Sequence, residues 1–150
     1  MLMESLICLA LNVYHEAKNQ SFIGQVAVAQ VVMNRVKDNR YPNNVCDVVK
    51  QGLTYKWKPS LPIKNRCQFS WYCDGKSDTI MLTDVHGNVI RYNMDAWIDS
   101  IEIARLALEG QLQDLTQGAT YYFNPRLADP DWQYAFTQVA TIDNHTFFVH

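Results

Sequence analysis

The segment over residues 22–37 constrains the fold more than any other part of the sequence. Its apolar residues follow helical spacing along one stripe, with further valines beside them: Phe22, Val26, Ala29, Met33 and Val36, flanked by Val28, Val31 and Val32. Ser21 is a suitable N-cap, and Tyr41-Pro42 prevents continuation of the helix. A helix that is apolar on most of its surface is buried, so the sequence predicts a central helix with other elements packed around it.

Local patterns predict helices early in the chain and β structure late. The expected helices cover residues 5–18, 22–37, 45–51 and 95–109, the last with a cap at Asn93 and Gly110 at its C-terminal end. The expected β structure is a hairpin over 79–92 that turns around His86-Gly87-Asn88, a strand over 119–123, and a hairpin pairing 139–142 with 146–149. Residues 52–78 lack periodicity and contain several aromatic residues, which predicts an irregular binding loop. The fold class is therefore α+β.

Length and composition predict a single domain over residues 1–150. Apolar residues make up 48% and charged residues 19%, which is enough apolar surface for a core. Thirteen Lys and Arg against 15 Asp and Glu give a net charge of −2, which disfavours a general nucleic-acid binder. No run reaches the roughly 20 apolar residues of a membrane-spanning helix. We expect a monomer that binds no nucleic acid and does not insert into membranes.

The cysteines and histidines lack the spacing of a metal site. Five residues separate the nearest cysteine pair, Cys67 and Cys73, so neither a metal nor a cofactor is expected. Cys8 lies in an apolar helical segment and is predicted to be a buried small hydrophobic residue. One disulfide among Cys46, Cys67 and Cys73 is expected if the protein works outside a cytosol.

Glu16 is the residue whose position most suggests catalysis. It follows Leu9 by seven residues, or about 700° of helical rotation, which places both side chains within about 20° of each other. An acid held against apolar surface has a raised pKa and can donate a proton at neutral pH, as glycosidic-bond cleavage requires. The alternative is a glutamate at a helix end that turns into solvent.

Ordered motifs extend from the first helix nearly to the C-terminus. They are Tyr14-His15-Glu16-Ala17, Gly24-Gln25-Val26-Ala27-Val28-Ala29, Val32-Met33-Asn34-Arg35-Val36, Tyr41-Pro42, Val45-Cys46-Asp47-Val48-Val49, Gln68-Phe69-Ser70-Trp71, Asp74-Gly75, Thr116-x-Gly118-Ala119-Thr120-x-Tyr122-x-Asn124-Pro125, Trp132, and Ile142-x-Asn144-His145-x-Phe147. Together they resemble the SleB-type cell wall hydrolases, the catalytic domains of spore-cortex-lytic and related phage enzymes.

This resemblance implies a lysozyme-like domain that cleaves the glycan strands of peptidoglycan between N-acetylmuramic acid and N-acetylglucosamine. Members are regarded as lytic transglycosylases, and the family's catalytic acid corresponds to Glu16. One glutamate can suffice for this reaction, because the C6 hydroxyl of the muramic acid replaces water as the nucleophile. The chain departs from the family at His15 and Asp143, where glycine is often found.

Several polar and aromatic residues are candidates for substrate binding. Gln68 and Ser70 alternate in sequence and can share one direction in an extended segment. Trp71 either stacks on sugar rings or belongs to the core. Tyr122 is expected to contact Glu16 or the substrate, and Asn124 to bind substrate or to satisfy turn backbone. Asp74 is the candidate second carboxylate of a water-using muramidase, although an Asp-Gly turn explains it, and His145 is assigned a structural role in a turn.

Two further readings remain open on the sequence. One is a catalytically silent wall-binding phage structural module that keeps the fold. The other is a nuclease built on His86, His145 and Asp residues, which lack clustered metal-ligand spacing. Glu4 precedes the apolar residues 6–11 and no cleavage site follows them, so no signal peptide is expected. That expectation fits a phage lysin released into the host, a virion component that acts at the wall, or a domain of a longer exported protein.

Overall fold

The computed structural model describes residues 2–76, 78, 80–83, 86 and 89–150. Its helices are α1 (Leu2–Ala17), α2 (Phe22–Lys37), α3 (Val45–Val49) and α4 (Met94–Glu109). Its strands are β1 (Gly52–Tyr55), β2 (Lys58–Cys67), β3 (Met81–Thr83), β4 (Val89–Tyr92), β5 (Tyr121–Phe123), β6 (Thr137–Ile142) and β7 (His145–Val149). Short 3₁₀ helices cover Ser70–Cys73 and Asp131–Tyr134. The α+β class with early helices and late strands is confirmed.

The central helix predicted over residues 22–37 is confirmed at both ends. The Ser21 hydroxyl accepts a hydrogen bond from the Gly24 amide and caps α2. Helices α1, α3 and α4 pack around α2 in one apolar core, which contains Leu9, Val13, Val26, Val32, Val48 and Ile103. Phe22, expected on the apolar stripe of the central helix, is exposed, and it is the first residue of α2.

The late strands form a three-stranded antiparallel sheet in the order β5-β7-β6. The expected terminal hairpin is confirmed, with Ile142 paired to His145 across the turn. Phe147 packs with Ala27 and Val31 of α2, so this sheet lies against the central helix. The expected hairpin of β3 and β4 is also confirmed by their antiparallel pairing, while its turn residues Gly87 and Asn88 lie outside the described residues.

The prediction of an irregular loop over residues 52–78 is wrong for its first half. Strands β1 and β2 pair as an antiparallel hairpin, with register shifts near Thr54 and Tyr55. Almost all of the hairpin is exposed, so its residues show no alternation between buried and exposed positions. Pro59 and Pro62 also make a strand harder to predict from the sequence, although proline is tolerated at bulges and on sheet edges.

Two disulfides pair all four cysteines. Cys8 of α1 bonds Cys46 of α3, and Cys67 bonds Cys73, with Cα–Cα distances of 5.3 and 6.1 Å. The expected bridge among the three later cysteines is therefore present between Cys67 and Cys73. The prediction that Cys8 is an unpaired hydrophobic residue is wrong, because packing of α1 against α3 brings Cys46 to it. No helix in the described ranges combines the length and the hydropathy of a membrane span.

Candidate active site

A cleft of about 560 Å³ lies between the C-terminal end of α1, the segment after β2, and the ends of β5 and β7. It brings together side chains that are far apart in sequence: Glu16, Arg35, Gln68, Ser70, Tyr122, Asn124 and His145. Four of the five residues predicted to bind substrate line it, and so does the predicted acid. The helices and the sheet thus meet where the ordered motifs converge.

Glu16 lies in the last turn of α1 and is largely withdrawn from solvent. It shares the helix face of Leu9, which is completely buried, as the helical spacing predicts. Burial raises the pKa of Glu16 to about 7, because the charged carboxylate loses hydration there. Near neutral pH the side chain therefore exists as both acid and base. This is the property that a proton-transferring carboxyl requires.

Tyr122 of β5 places its hydroxyl beside the Glu16 carboxyl. The hydroxyl lowers the pKa of Glu16 slightly against the larger effect of burial. No hydrogen bond of ordinary length and angle engages this buried hydroxyl within the described residues. Burial, followed by the nearby Glu16, raises the pKa of Tyr122 well above its usual value, so the phenol stays protonated and can only donate to an anionic Glu16.

Glu16 is the only carboxylic acid among the described residues that line the cleft. Asp74, the candidate second carboxylate, does not line it. The Asp74 side chain accepts a hydrogen bond of 2.8 Å from the Lys76 amide, and Gly75 between them has a φ of 78°. Asp74 therefore forms the Asp-Gly turn that the sequence offered as its alternative explanation.

The remaining predicted binding residues divide into two groups. Gln68 and Ser70 are exposed in the cleft, where their polar groups are available to a ligand. Asn124 also lines the cleft, while its side-chain oxygen accepts a hydrogen bond from the Arg126 amide and stabilises the turn. Trp71 is not part of the cleft lining. Its indole donates to the side chain of Asn12, at 2.9 Å, and its apolar surface packs on the core.

His145 lines the cleft as well, although the sequence assigned it a turn role. Its ring meets the Tyr122 ring edge-on, with 5.0 Å between centroids. Burial lowers its pKa, so the imidazole is neutral near pH 7. Its Nδ1 atom is buried without a hydrogen-bond partner among the described residues. His145 is the first residue of β7, and side chains two residues apart in a strand point to the same side. Phe147 lies in the core, so this alternation was the available sequence signal.

Arg35 is a second cleft residue that sequence reasoning did not select as functional. It is 1% exposed, and its Nε donates to the Thr120 carbonyl at 2.7 Å. Its guanidinium lies 4.7 Å from the Tyr121 ring centre. These contacts fix the chain that enters β5 and thereby the position of Tyr122. The sequence signal was that Arg35 lies among the apolar residues of the central helix, because a cation is buried only where partners compensate its charge.

The two departures from the family pattern make contacts of their own. The His15 ring stacks on Trp71 with 4.7 Å between centroids, and its Nε2 atom lies 3.1 Å from the Asp78 carbonyl. Asp143 accepts hydrogen bonds from the Ser21 amide and hydroxyl, at 2.9 and 2.6 Å. A Cβ atom at Gly24 would approach the Asp143 carboxylate to 2.3 Å, so that glycine leaves the space which Asp143 occupies.

Metal-ligand geometry does not occur in the described part of the chain. Within residues 2–76, 78, 80–83, 86 and 89–150, no three His, Cys, Asp or Glu side chains group together as a metal site would require.

Comparison with known proteins gives concordant matches. A family model described as Cell Wall Hydrolase matches residues 19–148, a range that begins just after Glu16. Spore cortex-lytic enzymes from Halalkalibacterium halodurans and Bacillus subtilis are 31% and 28% identical over 137 and 141 residues. These alignments cover 90% and 93% of this chain but 32% and 35% of the relatives, so the chain spans about a third of their length.

Solved structures give the same match at the level of the fold. The catalytic domain of the germination-specific lytic transglycosylase SleB from Bacillus anthracis superposes with a TM-score of 0.65 and 27% identity, covering 97% of this chain and 93% of that domain. The catalytic domain of the Bacillus cereus SleB protein gives a TM-score of 0.62 and 26% identity, covering 98% and 91%.

Proposed function

The chain belongs to the cell wall hydrolase family, and we propose that it cleaves peptidoglycan glycan strands as a lytic transglycosylase. The bond cut is the one between N-acetylmuramic acid and N-acetylglucosamine, and the site of action is the bacterial cell wall. The observation that carries this proposal is Glu16, the one carboxylic acid among the described residues that line the cleft, whose pKa burial raises to about 7. The solved relatives support the reaction type, since one of them is described as a lytic transglycosylase.

In the first step, protonated Glu16 donates its proton to the oxygen that bridges the two sugars. The bond from this oxygen to C1 of the muramic acid breaks, the N-acetylglucosamine leaves with a free hydroxyl, and positive charge develops at C1. Burial favours this step because it keeps Glu16 protonated at a pH where an exposed glutamate is ionised.

In the second step, the Glu16 carboxylate removes the proton from the C6 hydroxyl of the same muramic acid. The C6 oxygen bonds to C1, which closes a 1,6-anhydro ring, and Glu16 returns to its protonated state. No water is consumed, so no second carboxylate is needed to activate one. Tyr122 assists here, because its neutral hydroxyl is placed to donate a hydrogen bond to Glu16 while the carboxylate is charged.

Substrate binding falls to the exposed polar groups of the cleft. Gln68 and Ser70 are placed to hydrogen-bond the hydroxyl and N-acetyl groups of the sugars. His145 adds a neutral ring beside Tyr122, which can accept or donate a hydrogen bond without placing a second positive charge near C1. We assign Trp71 to the support of α1 through Asn12 and His15 rather than to sugar stacking.

Mass spectrometry of the fragments released from purified sacculi tests this function directly. A transglycosylase yields muramic acid ends that are lighter by one water than the reducing ends made by a muramidase. We expect anhydro ends from the native chain and a large loss of fragment release in the Glu16→Gln variant. Reducing ends would contradict the transglycosylase and favour a two-carboxylate enzyme. Binding to sacculi with no fragment release would instead indicate a silent wall-binding module.

A further inference from the structure

The hairpin of β1 and β2 exposes an apolar surface to solvent. Trp57 is 74% and Leu53 61% exposed, and Tyr55 and Leu61 are exposed beside them. The Tyr55 and Trp57 rings lie 5.7 Å apart and are tilted by 39°, so they form one aromatic surface at the hairpin turn. A two-stranded hairpin is marginally stable alone, and a cluster of exposed large apolar side chains indicates an interaction site.

The same hairpin concentrates positive charge. Residues 52–67 contain Lys56, Lys58, Lys64 and Arg66 and no acidic residue. The whole chain has 13 Lys and Arg and 15 Asp and Glu. The hairpin therefore has a net charge of +4, and the remaining 9 basic and 15 acidic residues give a net charge of −6. The ion pairs found in the described residues involve Arg40 and Arg105, neither of which belongs to the hairpin. The hairpin is therefore complementary in charge to an anionic polymer.

The hairpin leads directly into the candidate active site. Strand β2 ends at Cys67, and the next residues, Gln68 and Ser70, line the cleft. The Cys67–Cys73 disulfide and the hydrogen bond from the Gln68 amide to the Gln51 carbonyl close the base of the hairpin. The base of the hairpin is therefore anchored beside the cleft edge that Gln68 and Ser70 form.

We propose that the β1–β2 hairpin is a second glycan-binding surface, which holds an anionic peptidoglycan strand beyond the cleft. This inference rests on the proposed function, since it extends the same substrate along the protein. The Tyr55 and Trp57 rings supply a flat apolar surface for the carbon-hydrogen faces of sugar rings. The lysines and Arg66 meet the carboxylates of the peptide stems that the strand carries. A lipid surface also suits aromatic and cationic residues, but continuity with the cleft favours the glycan.

Binding measured without cleavage tests this surface apart from the catalytic proposal. The Glu16→Gln chain is incubated with purified sacculi, and the bound fraction is measured by co-sedimentation. We expect Trp57→Ala in this background to weaken binding by about tenfold. Tyr134→Ala is the matched control, because Tyr134 is 80% exposed on the 3₁₀ helix Asp131–Tyr134, outside both the hairpin and the cleft; it should bind as its parent does. Circular dichroism and thermal unfolding establish that each variant is folded.

The charges are tested by the salt dependence of the same binding. Lys56→Gln/Lys58→Gln should bind more weakly at low salt and respond less to added salt, while Lys37→Gln/Lys50→Gln should keep the parent's response. Unchanged binding of the folded Trp57→Ala variant would overturn the inference, whether or not the native chain cleaves sacculi. Trp57-dependent binding to vesicles of phosphatidylglycerol and phosphatidylcholine, with no Trp57 dependence on sacculi, would also overturn it and indicate a lipid surface. If the native chain releases no fragments but Trp57-dependent sacculus binding persists, the catalytic proposal fails and the binding surface stands.

Discussion

The Tyr122 hydroxyl lies buried beside the Glu16 carboxyl, and it makes no hydrogen bond of ordinary length and angle among the described residues. Burial keeps both groups protonated, Glu16 up to about pH 7 and Tyr122 well beyond its usual range. A phenol that stays neutral in the working range donates to the charged Glu16 carboxylate, whereas its oxygen can also accept from the protonated carboxyl. In the proposed reaction, Glu16 transfers the proton and Tyr122 stabilises the charge left behind.

Replacement of Glu16 with glutamine should abolish most of the activity. Glutamine keeps the size of the side chain but cannot transfer a proton, and general acid–base catalysis contributes about 10²–10⁴-fold. One group serves both steps here, so we expect a loss near the upper end of that range, measured as fragment release from sacculi. Glu4→Gln on the exposed start of α1 is the control. A folded Glu16→Gln protein with a tenth of native activity would contradict the assignment.

The same variant should change how stability depends on pH. Burial raises the pKa of folded Glu16 to about 7 from 4.5, so the unfolded chain loses this proton first as pH rises. The free energy of unfolding of the native chain therefore falls between about pH 4.5 and about pH 7, by at most about 3 kcal/mol in total. Glu16→Gln should unfold at a higher temperature than the native chain at pH 8, and at a similar temperature near pH 4. Equal melting temperatures at pH 8 would argue against a buried, neutral Glu16.

Tyr122→Phe should remove the hydroxyl that stabilises charge on Glu16 while it keeps the packing of the ring. The hydroxyl lowers the pKa of Glu16, so its loss should move the fall in activity at alkaline pH to a higher pH. The rate should drop by about ten- to a hundredfold, because the charged carboxylate loses a donor. Stability should change little, since the buried hydroxyl makes no hydrogen bond of ordinary length and angle in the described chain. Tyr134→Phe is the control, and an unchanged pH profile for Tyr122→Phe would contradict the pairing.

Asp74→Asn should reduce the rate by less than about tenfold, because asparagine can also accept the Lys76 amide hydrogen bond and keep the turn. If Asp74 instead faced the glycosyl cation, loss of its charge would reduce the rate by about a thousandfold or more. Initial rates on sacculi and the mass of the product ends distinguish the two cases. A large drop with reducing-end products would establish a two-carboxylate muramidase.

The two disulfides should contribute differently to stability and to activity. Loop-closure entropy predicts about 4 kcal/mol for Cys8–Cys46, with a separation of 38 residues, and about 2 kcal/mol for Cys67–Cys73, with a separation of 6. Paired serine substitutions should therefore lower the melting temperature more at the first bridge. Activity should fall more at the second, because it anchors the segment that carries Gln68 and Ser70. Thiol counting under denaturing conditions should find no free thiols before reduction and four after it.

Sequence patterns were sufficient where a residue's role depends on its near neighbours. The limits of α2 follow from its apolar surface and its Ser21 cap, and the position of Glu16 on the buried face of α1 follows from its spacing to Leu9. The terminal hairpin follows from two strands joined by a two-residue turn at Asp143 and Asn144. In each case the hydrogen bonds and side-chain periodicity that form the element lie within about twenty residues of chain.

Only the tertiary structure decided which distant groups meet. The β1–β2 hairpin was missed because an exposed, bulged pair of strands imposes no alternation on its sequence. The Cys8–Cys46 bridge, and the gathering of Tyr122 and His145 around Glu16, depend on how α1, α3 and the sheet pack on α2. Packing also placed Trp71 against Asn12 and left the Asp74 turn outside the cleft. Periodicity records which face of an element is buried, whereas the partner buried against it is set by the fold of the whole chain.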